Sequence, residues 1–174
     1  MTWSEIILAA LKENSVRFAA YVPDNILTPL IAGVAADSDF ICVGATREDE
    51  AVGAATGAYM AGLRAVAMMQ TSGFALIANA LGSLVVPFQI PAILIVSERG
   101  IMGEFNIGQT LVARTMRPTL DALGIMHHTL TDLSTLHFIL DRSIKQAFTT
   151  RAPVVFILSP LLSGGNPAAQ GQLL

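Results

Sequence analysis

Charge is what this sequence most lacks: 10 basic and 13 acidic residues make up 13% of its 174 positions. Soluble domains carry about 25% charged residues, so roughly half of the usual solvating groups are missing. With 53% hydrophobic residues and a mean hydropathy of +0.60, the chain is also the opposite of a disordered one, which is apolar-poor and charge-rich. The deficit points to a surface that is largely covered, by a bilayer or by partner subunits.

A bilayer is the poorer choice. No charge lies between Arg64 and Glu98, yet Gln70, Asn79, Pro87, Gln89 and Pro91 break that span before the about 18 apolar residues of a membrane helix. The opening Met1-Thr2-Trp3-Ser4-Glu5 has no basic segment ahead of an apolar stretch. Neither a signal peptide nor a membrane span is therefore expected, and the cytoplasm is the expected compartment. Basic clusters are missing too: the net charge is −3 with Lys and Arg scattered, which excludes an electrostatic footprint for nucleic acid. The single cysteine, Cys42, excludes an internal disulfide, and no Cys/His spacing suggests a metal held by this chain. Within Phe40-Ile41-Cys42-Val43 it reads as a buried bystander. P-loop, Gly-x-Ser-x-Gly and His-Glu-x-x-His patterns are absent.

What is present is alternation. Helical spacing over 3–14 precedes a strand over 18–22 and a helix to about 35, which Asp24 or Asn25 could cap. Strands over 40–44, 65–70 and 92–96 alternate with helices over 48–62 and 74–84, the second entered through a tight Thr71-Ser72-Gly73 turn. A Gly-rich loop over 98–110 leads to a helix over 112–123. Then follow a strand at 127–130, a helix over 132–148, a strand at 154–158 and a loose tail over 161–174. The pattern predicts an α/β domain over 1–160: a parallel sheet of about six strands with helices on both faces. Its functional loops belong at the carboxyl ends of the strands, at Pro23–Asn25, Thr46–Glu50, Thr71–Gly73 and Ser97–Gln109.

Three carboxylates in Arg47-Glu48-Asp49-Glu50 stand at the mouth of the third helix, where the helix dipole favours them. Glu48 is the one placed to face inward, because Ala51, Val52 and Ala55 follow it at i+3, i+4 and i+7. Gly53-Ala54-Ala55-Thr56-Gly57-Ala58 lies inside that helix, so it is a close-packing face rather than a dinucleotide fingerprint. His127 and His128 point to opposite faces of a strand and suggest structural or surface roles. Arg99, Glu104 and Gln109 share the Gly-rich loop, where Arg99 either contacts an anion or pairs with Glu98 or Glu104 at the surface.

Three motifs in order are fairly specific: Thr46 to Tyr59, Met69-Gln70-Thr71-Ser72-Gly73 leading into Asn79-Ala80-Leu81, and Pro91 to Val96 before Glu98-Arg99-Gly100. Over residues 1–160 the chain resembles the pyrimidine-binding domain of thiamine-diphosphate decarboxylases. Within that family it is most similar to sulfopyruvate decarboxylase alpha subunits and the amino-terminal half of phosphonopyruvate decarboxylases. The resemblance implies that Glu48 hydrogen-bonds N1′ of the cofactor's aminopyrimidine, with Thr71, Ser72 and Gly73 beside that ring. It also implies that Asp24 and Asn25 form a substrate-facing loop, Asp24 transferring a proton; Arg99 and Gln109, by their place in the Gly-rich loop, are the candidate contacts to the anionic end of a small 2-keto acid, surface pairing being the alternative for Arg99. Thr71 stands where the nearest subgroup usually has Asn, and Glu98 where it has Trp. No Gly-Asp-Gly occurs anywhere, although the family's diphosphate-binding domain holds Mg2+ with Gly-Asp-Gly…Asn. The implied protein is an alpha subunit that works with a separate diphosphate-binding beta subunit carrying the Mg2+, and that self-associates. Its implied reaction is decarboxylation of sulfopyruvate to sulfoacetaldehyde. A phosphonopyruvate decarboxylase, an acetolactate-type carboligase subunit and a non-catalytic scaffold of the same fold are the alternatives.

Overall fold

The chain begins its first helix with a reciprocal cap. The Thr2 hydroxyl accepts from the Glu5 N–H while the Glu5 carboxylate accepts from the Thr2 N–H, and α1 (Trp3–Glu13) follows. In the computed structural model, which describes residues 1–165, the succeeding elements alternate strand and helix. They are β1 (Val16–Tyr21), α2 (Thr28–Ala36), β2 (Ile41–Gly44), α3 (Glu48–Met60) and β3 (Arg64–Gln70). A broken helical segment comes next: α4 (Thr71–Phe74), a 3-10 turn (Ala75–Ile77), α5 (Ala78–Ala80) and a π turn (Leu81–Val85). The chain continues through β4 (Ile93–Ser97), α6 (Ile107–Ala122), β5 (Met126–Leu130), α7 (Leu133–Thr150), β6 (Val154–Leu158) and α8 (Pro160–Ser163).

All six strands are parallel, in the order β2-β1-β3-β4-β6-β5. The period-2 alternation of strand side chains divides them between two cores. Val66 and Met68 of β3, Ile93 and Ile95 of β4 and Val154, Phe156 and Leu158 of β6 pack against α1, α2 and α7. Ala67 and Met69, Leu94 and Val96, and Val155 and Ile157 turn the other way, towards α3, α6 and the broken segment. Burial on both faces is why these strands read as unbroken apolar runs. The expected six-stranded α/β sandwich is thus present.

Apart from shifts of one or two residues at element ends, four features differ from those the sequence suggests. The Thr71–Gly73 turn is already helical, and the helix beyond it breaks into 3-10 and π turns. α2 begins at Thr28, because Asp24 bonds the N–H groups of Ile26 and Leu27 in a turn of its own. α6 starts at Ile107, capped by Asn106, which shortens the expected Gly-rich loop. The expected tail opens with α8, where the Ser159 hydroxyl accepts from Leu161 N at 3.3 Å. Its remainder, 166–174, lies outside the described residues.

Candidate functional site

β1 pairs with β2 on one side and β3 on the other, so the crossover leaving β1 runs towards β2 while the one leaving its neighbour β3 runs the opposite way, towards β4. In open α/β sheets the loops diverge at such a point and leave a crevice at the carboxyl ends of the strands. The segments that follow β1, β2, β3 and β4 meet there, bringing Asp24, Glu48, Thr71 and Ser97 into one neighbourhood.

The three acids at the start of α3 divide. Glu50 Oε2 accepts from Thr46 N and Arg47 N at 3.1 and 3.2 Å, closing the helix's open end. Asp49 accepts from the exposed Arg47 guanidinium at 3.0 Å, which holds its carboxyl below the usual range. Glu48 faces inward with only 8% of its surface exposed, on the side of Ala51, Val52 and Ala55. No hydrogen bond reaches its carboxylate from the described residues. It lies directly against Gly73: a Cβ there would collide with Glu48 Oε1, Cδ and Cγ. The backbone is helical and unstrained, so the constraint is one of space: any side chain here would require that of Glu48 to move aside.

A second set of polar groups ties three loops together. Asp24 Oδ1 accepts three hydrogen bonds, from Ile26 N at 3.0 Å, Leu27 N at 3.1 Å and the Ser97 hydroxyl at 2.8 Å. Thr71 is fully buried, and its hydroxyl donates to the Ser97 carbonyl and accepts from Arg99 N, each at 3.0 Å. That hydroxyl donates once and accepts once, which fixes the entry to α4 and leaves one acceptor lone pair. Gly73 is two residues further on, so Asp24 and Glu48 flank the same helical turn.

Arg99, placed by sequence either on an anion or on a neighbouring acid, forks onto Glu104 at 2.7 and 2.9 Å. The pair is not at the surface: the side chains are 10% and 5% exposed. Glu104 also accepts from Gly100 N at 3.1 Å and Asn106 N at 3.0 Å. The Arg99 guanidinium together with these N–H donors pulls its carboxyl down to about 2. Glu98, 2% exposed, takes a different partner, Arg117 of α6, which also donates to Thr129. Gln109 Nε2 stands 3.5 Å from Gln70 Oε1, and Gln109 Oε1 is buried without a partner. Asn25 is exposed and Ser72 half-buried.

Both histidines of β5 pair within the chain. His127 meets Asp121, and His128 shares a hydrogen bond with Ser143 at 2.9 Å while burial lowers its pKa. Cys42 is half-buried, and burial raises its thiol pKa. Sequence reasoning passed over Ser97. Its signal was a hydroxyl ending the all-apolar strand Ile93–Val96 at the edge where functional loops gather.

One helix face stands open. Gly53 and Gly57 of α3 have no described atom within 4 Å of where a Cβ would stand, and Met60 beside them is 76% exposed. Of the close-packing stretch read from the sequence, Ala55 and Thr56 pack within this chain, while Gly53 and Gly57 have no partner among the described residues. No helix of the described residues is long and apolar enough to cross a membrane.

Known proteins with similar sequences or folds share this architecture. Residues 1–106 match the family described as thiamine pyrophosphate enzyme, N-terminal TPP binding domain. The sulfopyruvate decarboxylase subunit alpha of Methanocaldococcus jannaschii is 38% identical over 125 residues, covering 72% of this chain and 74% of that one. A phosphonopyruvate decarboxylase of Streptomyces viridochromogenes is 39% identical over 98 residues, which are 56% of this chain and 25% of that protein. In fold, the chain superposes with a TM-score of 0.72 on the 2-oxoglutarate:ferredoxin oxidoreductase of Magnetococcus marinus, at 15% identity. That match takes in 94% of this chain and 29% of the larger one.

Proposed function

The chain belongs to the thiamine pyrophosphate enzymes, through their N-terminal TPP-binding domain, and from that premise we propose that it is the alpha subunit of a 2-keto acid decarboxylase. Its proposed reaction takes sulfopyruvate and a proton to sulfoacetaldehyde and carbon dioxide. The observation that carries this reading is Glu48: a largely buried carboxylate that takes no hydrogen bond from the described residues, seated against a glycine that leaves it room.

The site fits an aminopyrimidine. The Glu48 side chain is largely buried and takes no hydrogen bond from the described residues, yet its oxygens are not sealed from the crevice, so they can accept a ligand's donor. A ring nitrogen of the pyrimidine can be that donor. Thiamine diphosphate, when bound, supplies the electron sink that lets a 2-keto acid lose carbon dioxide. In the proposed site, Glu48 holds a proton at that ring nitrogen, while Ser72 and the side-chain-free surface of Gly73 border the ring. Thr71 acts by fixing the turn. Asp24 Oδ2, which accepts no hydrogen bond from the described residues, holds or delivers the proton at the reacting carbon. Asn25 and Gln109 face the substrate, and Arg99 contributes through the loop it braces with Glu104. Residues 1–160 form the pyrimidine half of the active site.

We further propose that a separate beta subunit supplies the diphosphate and Mg2+ site. Two observations support it: the sulfopyruvate decarboxylase relative is a subunit alpha, and the Gly53–Gly57 face of α3 is open among the described residues. The similarity to a phosphonopyruvate decarboxylase supports a second reading, a 2-keto acid with a phosphonate in place of the sulfonate. The test is product analysis after mixing the chain with a partner carrying Gly-Asp-Gly…Asn, using sulfopyruvate, phosphonopyruvate and pyruvate. Sulfoacetaldehyde as the main product supports the first reading, and phosphonoacetaldehyde the second. A carboligation product, or no turnover on any acid, refutes both. In the same mixture Glu48→Gln should lower kcat by about 10²–10⁴-fold, the scale of one lost acid-base group.

A further inference from the structure

We propose that Ser97 is the positioning residue that aims the Asp24 carboxylate, an inference that rests on the reading of Asp24 as the proton-transfer group. Three donors converge on one oxygen of Asp24, and none of the described residues bonds the other. Ile26 N and Leu27 N belong to the same loop as Asp24, so they fix the carboxylate only with respect to that loop. The Ser97 hydroxyl comes from 73 residues away, at the end of β4, beyond the intervening β3. It is the hydrogen bond that references the carboxylate to the sheet.

Ser97 is suited to this. It is fully buried at the end of a strand whose other residues, Ile93–Val96, are all apolar, so packing alone would be served by a hydrocarbon. A buried hydroxyl needs an acceptor, and a carboxylate gives it a charge-assisted bond, about twice as strong as a neutral one. The Ser97 carbonyl meanwhile accepts from Thr71, whose hydroxyl also takes the Arg99 N–H. One residue therefore registers the loops after β1, β3 and β4 against each other. With Oδ1 saturated, Oδ2 is the oxygen left for chemistry.

A merely structural Ser97 would satisfy a buried turn and affect folding alone. The assembled enzyme is assayed as wild type, Ser97→Ala, Ser97→Thr, Ser97→Cys, Asp24→Asn and the Ser97→Ala/Asp24→Asn pair. Cysteine keeps the volume but donates weakly, which covers the case in which the alanine variant does not fold. Positioning predicts a kcat about 10–100-fold lower for Ala and Cys, on the scale of a hydrogen bond to a charged group, with KM nearly unchanged. Threonine should recover most of the rate. In the Asp24→Asn background the alanine change should cost nothing more. Amide spectra of the full chain give a readout without turnover: the Ile26 and Leu27 signals should move in the Ala and Cys variants and stay in Thr.

Wild-type kcat in folded Ala or Cys variants, unmoved amides, failure of threonine to rescue, or losses that multiply in the double variant would each overturn the role of Ser97. Asp24→Asn with wild-type kcat would instead overturn the reading of Asp24, and the inference with it.

Discussion

Replacing Glu104 by Gln removes a charge from the loop after β4 while keeping its shape. In the folded chain that carboxylate takes two bonds from Arg99 and one each from the Gly100 and Asn106 N–H groups. Together they hold its pKa at about 2 against an ordinary 4.5. The difference corresponds to about 3 kcal/mol of stability at neutral pH, at 1.36 kcal/mol per tenfold change in proton affinity. Because the folded value is the lower one, the contribution is complete above about pH 5 and disappears as the pH falls from 4.5 towards 2. Urea unfolding of both proteins should therefore show a gap of about 3 kcal/mol at pH 7 that shrinks to under about 1 kcal/mol at pH 2.5, with unchanged slopes. A gap under about 1 kcal/mol at pH 7 would mean the pair behaves as an exposed one and braces nothing. An equal gap at both pH values would assign the effect to packing rather than charge.

Other perturbations probe the same edge of the sheet. Gly73→Ala should drive the Glu48 side chain from its place, so the assembled enzyme should lose activity about as severely as in Glu48→Gln, on the scale of 10²–10⁴-fold; near-normal turnover would mean that this contact is unimportant. Thr71→Val removes the bond to the Ser97 carbonyl and leaves Arg99 N without its acceptor, for a loss of about 1–3 kcal/mol in denaturant unfolding. Calorimetric titration of the isolated chain should show poor binding of thiamine diphosphate with or without magnesium, and light scattering a dimer or larger species. Micromolar, magnesium-dependent binding would contradict the division of the site between two chains.

The sheet was legible because its central strands are buried on both faces: Ile93–Val96 and Val154–Leu158 leave no other reading open than interior strands. Inward orientation of Glu48 was legible for a similar reason, since helical spacing puts it on the face of Ala51, Val52 and Ala55. What escaped depends on contacts between distant segments. Spacing cannot bring Ser97 to Asp24, nor decide that Arg99 meets Glu104 while Glu98 meets Arg117. Nor does it show that the turn after β3 is itself helical, for that depends on Thr71 being gripped from β4. Those are tertiary facts, which local pattern can suggest but not decide.

The low charge content makes the placement of the buried acids more telling. Asp24, Glu48, Glu98 and Glu104 all lie beyond the carboxyl ends of strands, and each burial is unfavourable unless the carboxylate is partnered. Three of them are. Asp24 has three donors, Glu98 has Arg117, and Glu104 has Arg99 with two backbone N–H groups. Glu48 alone of the four receives no bond from the described residues, while the residue against it is one whose side chain would have filled the space. Its neighbours are bonded within the chain, which leaves Glu48 as the acid at this edge open to a partner from outside it. In the proposed reading that partner is the aminopyrimidine, and the rest of the edge keeps Glu48 and Asp24 in fixed relation to it.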